Sequence, residues 1–312
     1  MQVSVVVPAY NSAEILPELT RRLEPVFGGL SAEFEVILVN DGSRDQTWQV
    51  IEQLAGRHRW LRGINLMKNY GQHNALLCGI RQARYPLIVT LDDDLQHPPE
   101  EIPKLLAALK EDCDVMYGKP EQEQHGLWRD LASIVTKFTL QRVMGAATAR
   151  RVSPFRLFRT SLRQSFAEYR GAFVNIDCLL TWGTSRFAAV SVKHDRRAIG
   201  VSNYTFRKLM QHSLNMMTGF STLPLQIATY IGFSFTFLGI LVLVYVLGRY
   251  FFSGDPVAGF PFLASIIAIF SGAQLFALGI IGEYLARMYV RTSEQPAYVV
   301  RDTSNLGEDR SA

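Results

Sequence analysis

Three carboxylates stand together in Leu91-Asp92-Asp93-Asp94-Leu95-Gln96-His97-Pro98-Pro99. Like charges this crowded repel unless a cation or hydrogen-bond donors hold them. The apolar run from Leu87 to Leu91 reads as a buried strand, and the prolines followed by Glu100 and Glu101 read as a helix start. The carboxylates therefore sit where a strand leaves a sheet. On extended backbone, residues two apart share a side, so Asp92 and Asp94 face one object while Asp93 faces away. A hard cation such as Mg²⁺ takes one or two carboxylates plus substrate phosphates, so a metal–diphosphate site is the chemistry these residues suit. A solvated Asp-rich turn is the plainer alternative. An EF-hand calcium loop fails, because counting from Asp92 the sixth residue is His97, not Gly, and the twelfth is Pro103, not Glu.

Those side chains need a scaffold. Val3 to Val7 is a β-branched run, hence a buried strand, ending in the loop Pro8-Ala9-Tyr10-Asn11-Ser12; a helical pattern follows through Ile15, Leu16, Leu19 and Leu23. Phe34 to Val39 is a second strand, ending in Asn40-Asp41-Gly42-Ser43-Arg44-Asp45, with Asp45 as N-cap of the helix through Trp48, Ile51 and Leu54. A third strand, Leu61 to Leu66, leads into Lys68-Asn69-Tyr70-Gly71 and a helix from His73 to Ala83. After the Leu87 strand come a helix from Glu100 to Leu109 and a fifth strand from Asp114 to Tyr117. The alternation predicts a doubly wound, mostly parallel α/β sheet. Ligands bind such sheets outside the carboxyl ends of the strands, which puts residues 8–11, 41–43, 68–71 and 92–94 on one rim. There is no G-x-G-x-x-G and no P-loop motif.

Further on, Gly126 to Met144 reads as a long helix with Arg129, Ser133 and Lys137 on one face; the spacing alone supports only a solvated basic face. Phe155 to Phe158 is a short strand carrying Arg156, and Arg186 to His194 another, which runs into the basic loop His194 to Tyr204.

Length suggests about two domains at roughly 150 residues each. The balance, 48% hydrophobic and 19% charged, is ordinary, but the charge is uneven: no Asp, Glu, Lys or Arg lies between Leu209 and Gly248, nor between Pro256 and Gly282. Each stretch exceeds the roughly 20 apolar residues that cross a bilayer. Spans at 225–248 and 260–282, joined by a short connection, make a hairpin. Arg207, Lys208, Arg287 and Arg291 outside its ends put both termini and the large domain in the cytoplasm by the positive-inside rule. Phe206 to Phe220 is amphipathic and suits the membrane interface. The net charge of +4, with no basic stripe interleaved with aromatics, fits an anionic membrane face better than a nucleic acid, and no nucleic-acid partner is expected. Cys78, Cys113 and Cys178 form no C-x-x-C pair, which indicates reduced thiols rather than a disulfide framework or zinc site. With no signal peptide, the first 200 or so residues are expected to stay cytoplasmic, and the polar chain from Arg301 on to be disordered.

In this order, Val5-Val6-Val7-Pro8-Ala9-Tyr10-Asn11, Val39-Asn40-Asp41-Gly42-Ser43 and Asp92-Asp93-Asp94-Leu95-Gln96 resemble the GT-A glycosyltransferases of family 2. Arg129-x-x-x-Ser133, Phe155-Arg156-Leu157, Arg197-x-x-Gly200-x-Ser202-x-Tyr204 and Gly282-Glu283-Tyr284-Leu285 after the hairpin narrow the resemblance to polyprenyl-phosphate glycosyltransferases, which act on dolichyl or undecaprenyl phosphate. It runs to about Val300. The resemblance implies a Rossmann-like GT-A catalytic domain (1–204), an interfacial amphipathic helix (205–224), two transmembrane helices (225–283) and a cytoplasmic tail (284–312) in the cell membrane. It implies that Pro8, Ala9, Tyr10, Asn11 and Glu14 line the base and ribose, with Asp41 on the base and Asp93 on the nucleotide side. Asp92, Asp94 and Gln96 would meet Mg²⁺ or Mn²⁺; Arg129 and Ser133 would take the lipid phosphate; Arg197, Ser202 and Tyr204 would close over the diphosphate or acceptor. Relatives of this kind form homo-oligomers.

This chain departs from the family pattern at three places. Pro154 replaces an Asp proposed to matter in catalysis, Ser202-Asn203-Tyr204 replaces Ser-Lys-Tyr, and Ser12 replaces a Glu. The first need not stop transfer, since a polyprenyl phosphate is already an anionic nucleophile. What the enzyme must do is bring two anionic phosphates together, with Arg129, Arg156 and Arg197 on the acceptor side and a metal on the other. The expected activity is therefore inverting transfer from a nucleotide sugar to a polyprenyl phosphate. A processive polysaccharide synthase is the enzymatic rival, but no Gln-x-x-Arg-Trp is present. A non-catalytic scaffold or lipid-phosphate transporter is the other, and the intact Asp92, Asp94 and Gln96 count against it.

Overall fold

The computed structural model describes residues 1–30, 33–120, 152–171, 173–195, 223–253, 259–292 and 295–305. The chain divides into two compact units, Met1–Phe206 with Glu294–Ala312, and Arg207–Ser293.

The first unit is built on an eight-stranded sheet. In chain order its elements are β1 (Gln2–Ala9), α1 (Leu16–Gly29), β2 (Glu33–Asn40), α2 (Thr47–Arg57), β3 (Leu61–Leu66), α3 (Gln72–Gln82), β4 (Leu87–Thr90), α4 (Ile102–Ala108), β5 (Val115–Pro120), β6 (Arg156–Arg159), α5 (Ile176–Gly183), β7 (Phe187–Val192) and β8 (Val300–Ser304). The strand order is β7-β5-β6-β4-β1-β2-β3-β8. Strands β4, β1, β2 and β3 run parallel, while β6 and β8 are antiparallel to their neighbours. The parallel strands read as unbroken apolar runs because both sheet faces are covered. One core cluster joins Val5, Val7, Leu19, Phe27 and Leu38; the other joins Val6, Ile37, Val39, Leu77 and Ile88.

The chain moves outward from β1 through β2 to β3, then crosses back to place β4 on the other side of β1. That reversal is the switch point, and α/β sheets bind ligands outside the carboxyl ends of the strands at such a point. Pairing of β1 with β4 stops at Val6 and Thr90, so Pro8, which has no N–H to give, lies beyond the ladder on that side.

The end of the chain corrects the sequence reading. Instead of a disordered tail, residues 300–304 form β8, paired with β3 and belonging to the first unit.

The second unit contains α6 (Leu223–Ser253) and α7 (Phe260–Thr292), which among the described residues are the two helices long and apolar enough to cross a membrane. Their apolar side chains point outward, as with Phe233 and Leu275, each 70% exposed. Hydroxyls within α6 bond back one turn, Thr229 to the Leu225 carbonyl and Thr236 to that of Gly232, so they need no water. Gly239 leaves room for the Phe270 ring, which packs edge-on against Phe235. The expected helix at 126–144 and most of the expected interfacial helix lie outside the described residues.

Candidate active site

The four rim loops are tied to one another by named bonds. Asn11 N donates to Ser43 Oγ at 2.9 Å, and Arg44 N donates to Asn11 Oδ1 at 2.9 Å. Asn11 has φ of +54°, a left-handed conformation that Asn tolerates better than most residues. Ser12 N donates to Thr47 Oγ1 at 2.8 Å, and Ser12 Oγ donates to Asp93. Asp93 thus links the β4 loop to the β1 loop. Asp41 is 3% exposed, and its carboxylate receives Tyr70 N at 2.7 Å and Gly71 N at 2.8 Å. Both its oxygens therefore order the loop after β3, the structural task of a residue expected on the base. Gly42 (φ +61°) is pressed so close to Lys68 that a Cβ there would stand 2.3 Å from the Lys68 carbonyl carbon.

The acidic loop leaves β4 at this switch point. Gln72 Nε2, at the start of α3, donates to Asp92 Oδ1 at 2.5 Å. Gln96 N donates to Asp94 Oδ1 at 3.1 Å, closing a turn whose middle residue, Leu95, has φ of +58°. Burial, then the charges of Asp94 and Asp93, push the Asp92 carboxyl up to about 7, while Arg156 and Gln72 pull it down. Burial also raises Asp93, against the Ser12 hydrogen bond. Burial and the neighbouring carboxylates thus disfavour the ionised form of Asp92 in the metal-free protein. Among the described residues no three His, Cys, Asp or Glu side chains close around an ion. The hard oxygens of Asp92, Asp94 and Gln96 fit a cation that takes its remaining ligands from phosphate and water.

A testable pH dependence follows. In the unfolded chain Asp92 loses its proton near 4, in the folded one near 7, so across that window the folded state binds more protons. This group's contribution to metal-free stability therefore falls as pH rises from about 4 to 7. Conversely, a cation must displace that proton at lower pH. Mn²⁺ affinity, measured by calorimetry, is expected to fall by about tenfold per unit as pH drops below about 7, if one proton is displaced per ion.

The comparisons with known proteins fit this geometry. Residues 4–166 match the family described as Glycosyl transferase family 2. The undecaprenyl-phosphate 4-deoxy-4-formamido-L-arabinose transferase of Pseudomonas savastanoi pv. phaseolicola is 33% identical, over 97% of this chain and 92% of that protein. The chain belongs to glycosyl transferase family 2. Its relative of the same name in Klebsiella pneumoniae is 32% identical over 99% of this chain and 98% of that one. The fold is also that of glucosyl-3-phosphoglycerate synthase from Mycobacterium tuberculosis, with a TM-score of 0.54, 18% identity, and coverage of 70% of this chain and 77% of that one.

Within this glycosyltransferase the expected site residues fall into three groups. Tyr10, 42% exposed, and the exposed Asn11 and Glu14 face out from the rim, whereas Pro8 and Ala9 are buried in β1 and shape the loop through their backbone. Arg129, Ser133, Arg197, Ser202 and Tyr204 lie outside the described residues. Arg156 is 2% exposed: its Nη1 stands 3.3 Å from Asp177 Oδ1, and its Nε donates to Ser153 O at 3.2 Å. Tyr117 OH donates to the same Asp177 oxygen at 3.0 Å. Strand register explains the placement, since Arg156 is paired with Thr90 on one side and Tyr117 on the other. Arg156 was expected on the acceptor side; the described fold makes it a buried charge beside the end of β4. The Pro154 carbonyl accepts from Thr90 Oγ1 at 3.0 Å.

Gln72, Ser12 and Asp177 were not among the expected site residues. Gln72 follows a Gly at a helix start, a position that could have been flagged; Asp177 had no local signal. A cleft of about 910 Å³ lined by Gln2, Glu33, Leu87 and Arg159 opens at the other ends of the strands, away from the carboxylates.

Proposed function

We propose that the protein transfers a sugar, with inversion, from a nucleotide-sugar donor to undecaprenyl or a similar polyprenyl phosphate at the cytoplasmic face of the cell membrane. The observation that carries this is kinship along almost the full chain, spans included, with transferases named for undecaprenyl phosphate. The carboxylate pair at the switch point and the outward-facing apolar helices suit a donor diphosphate and a lipid acceptor.

In this reading Tyr10, Asn11 and Glu14 seat the base and ribose. Asp92, Asp94 and Gln96 hold Mg²⁺ or Mn²⁺, which when bound neutralises the donor's diphosphate as a leaving group. Arg129 and Ser133 receive the acceptor phosphate, with Arg197, Ser202 and Tyr204 closing over it. An acceptor phosphate oxygen attacks the anomeric carbon as the bond to the nucleoside diphosphate breaks from the opposite face. A phosphate monoester is largely ionised at neutral pH, so no side chain need take a proton from it. Catalysis is then positioning and charge compensation.

Membranes containing the protein, given undecaprenyl phosphate and labelled UDP-, GDP- or dTDP-sugars, are expected to yield label in a monosaccharide lipid with one donor. Excess chelator is expected to stop transfer, and Mg²⁺ or Mn²⁺ to restore it. Label in insoluble polymer would support a processive synthase, no label with any donor a non-catalytic protein, and full activity in chelator would remove the metal.

A further inference from the structure

We propose that Asp302, on the strand that follows the membrane spans, is a positioning residue for the nucleotide loop. The proposal rests on the reading of Tyr10 and Asn11 as the donor's seat.

Strand register sets the geometry. Ala9 is paired with Asn40, Asn40 with Asn65, and Asn65 with Asp302. A row of polar side chains therefore crosses three strands at the carboxyl ends of β2 and β3. Asn65 Nδ2 donates to Asp302 Oδ2 at 3.2 Å, and Asn40 Nδ2 donates to Asn65 Oδ1 at 2.8 Å. Ser43 Oγ donates to Asn40 Oδ1, and Asn11 N donates to Ser43 Oγ at 2.9 Å. Every donor in this chain points the same way, from the nucleotide loop to the carboxylate.

The direction has a chemical cause. A carboxylate only accepts, so Asn65 must present its NH₂ to Asp302 and its carbonyl oxygen to Asn40. Asn40 must then present its own NH₂ to Asn65 and its oxygen to Ser43. Ser43 must donate to that oxygen, which leaves its lone pairs for Asn11 N. The terminal acceptor thus fixes the Asn65 amide, while the Asn40 amide is held from both ends, since its oxygen also accepts Ser43 N at 3.3 Å. Asn40 and Asn65 are 3% and 6% exposed, so water does not easily replace a lost partner. Aligned hydrogen bonds also polarise one another. Asn11 at the far end is held in a left-handed conformation, which this bond and the Arg44 N bond to its side chain stabilise. Without Asp302, Asn65 can flip and set its NH₂ against that of Asn40, which displaces the Asn40 side chain and with it the Ser43 hydroxyl that holds Asn11 N.

The test uses the full-length protein in nanodiscs and binding of UDP, GDP and dTDP with Mn²⁺, taking the tightest. Asp302→Ala is expected to weaken that binding, and to raise the donor KM, by about tenfold, with kcat and the acceptor KM within about twofold. Asp302→Asn, which keeps an acceptor oxygen, should recover most of the loss. Thr303→Ala, the exposed neighbour on the same strand, should change nothing. In a Ser43→Ala background Asp302→Ala should add little, because the chain is already cut. If Asp302→Ala binds like the wild type, lowers kcat as well, matches Thr303→Ala, or adds fully to Ser43→Ala, the relay is wrong. If Asn11→Ala also leaves binding unchanged, or no nucleotide binds the wild type, the seat reading itself fails.

Discussion

Asp94→Asn is expected to cut sugar transfer by at least about 10²–10³-fold at saturating donor, with the fold intact. The substitution is sharp because Asp94 has two tasks that Asn separates. Its Oδ1 accepts Gln96 N and closes the turn around Leu95; an amide oxygen can do the same. What is lost is the charge that would face the cation. Asp92→Asn is expected to be equally inactive, but with an added mark. Its carboxyl is raised to about 7 by burial and by its two neighbours, so an amide removes a repelled charge from the metal-free protein. Its melting temperature without metal should therefore match or exceed that of the wild type above pH 7, and the rise on adding Mn²⁺ should vanish. Lipid-extraction assays and melts with and without Mn²⁺ read both effects. Transfer within a few-fold of wild type for Asp94→Asn would sink the metal assignment.

The parallel half of the sheet was legible because it is buried on both faces. Runs such as Val3 to Val7 and Phe34 to Val39 have no other stable use, and the loops after them could be placed on one rim by topology alone. The two spans were legible from the absence of charge. Strand β8 was not. Val300-Arg301-Asp302-Thr303-Ser304 is an edge strand with most side chains in water, so it has no apolar alternation, and only pairing with β3 makes it a strand. The burial of Arg156 was not legible for another reason. A four-residue strand with Arg at each end reads as exposed, yet it lies between β4 and β5, and the acid that makes burial tolerable comes from α5. Asp41 was expected as a site residue from its motif, but which groups its oxygens meet depends on the loop after β3, which sequence separation hides.

Arg156→Met is the substitution expected to cost the most stability. The guanidinium and Asp177 are 2% and 6% exposed at the side chain, and removing one member of such a pair leaves the other charge buried. The expected loss is about 3–5 kcal/mol, seen as a lower denaturation midpoint. Replacing both members should be far milder: Arg156→Met with Asp177→Asn leaves no unpaired charge, and the Asn can still accept from Tyr117 OH. The pair also reaches the active site, because the Arg156 charge is one of the influences lowering the Asp92 carboxyl. In the stable double variant that influence is gone, so Asp92 should hold its proton to higher pH, and Mn²⁺ affinity at neutral pH should fall although no metal ligand was touched. Recovered stability with weakened, upward-shifted metal binding would separate Arg156's structural role from its electrostatic one. A double variant as unstable as the single would show that packing around the guanidinium, rather than its charge, holds this part of the sheet.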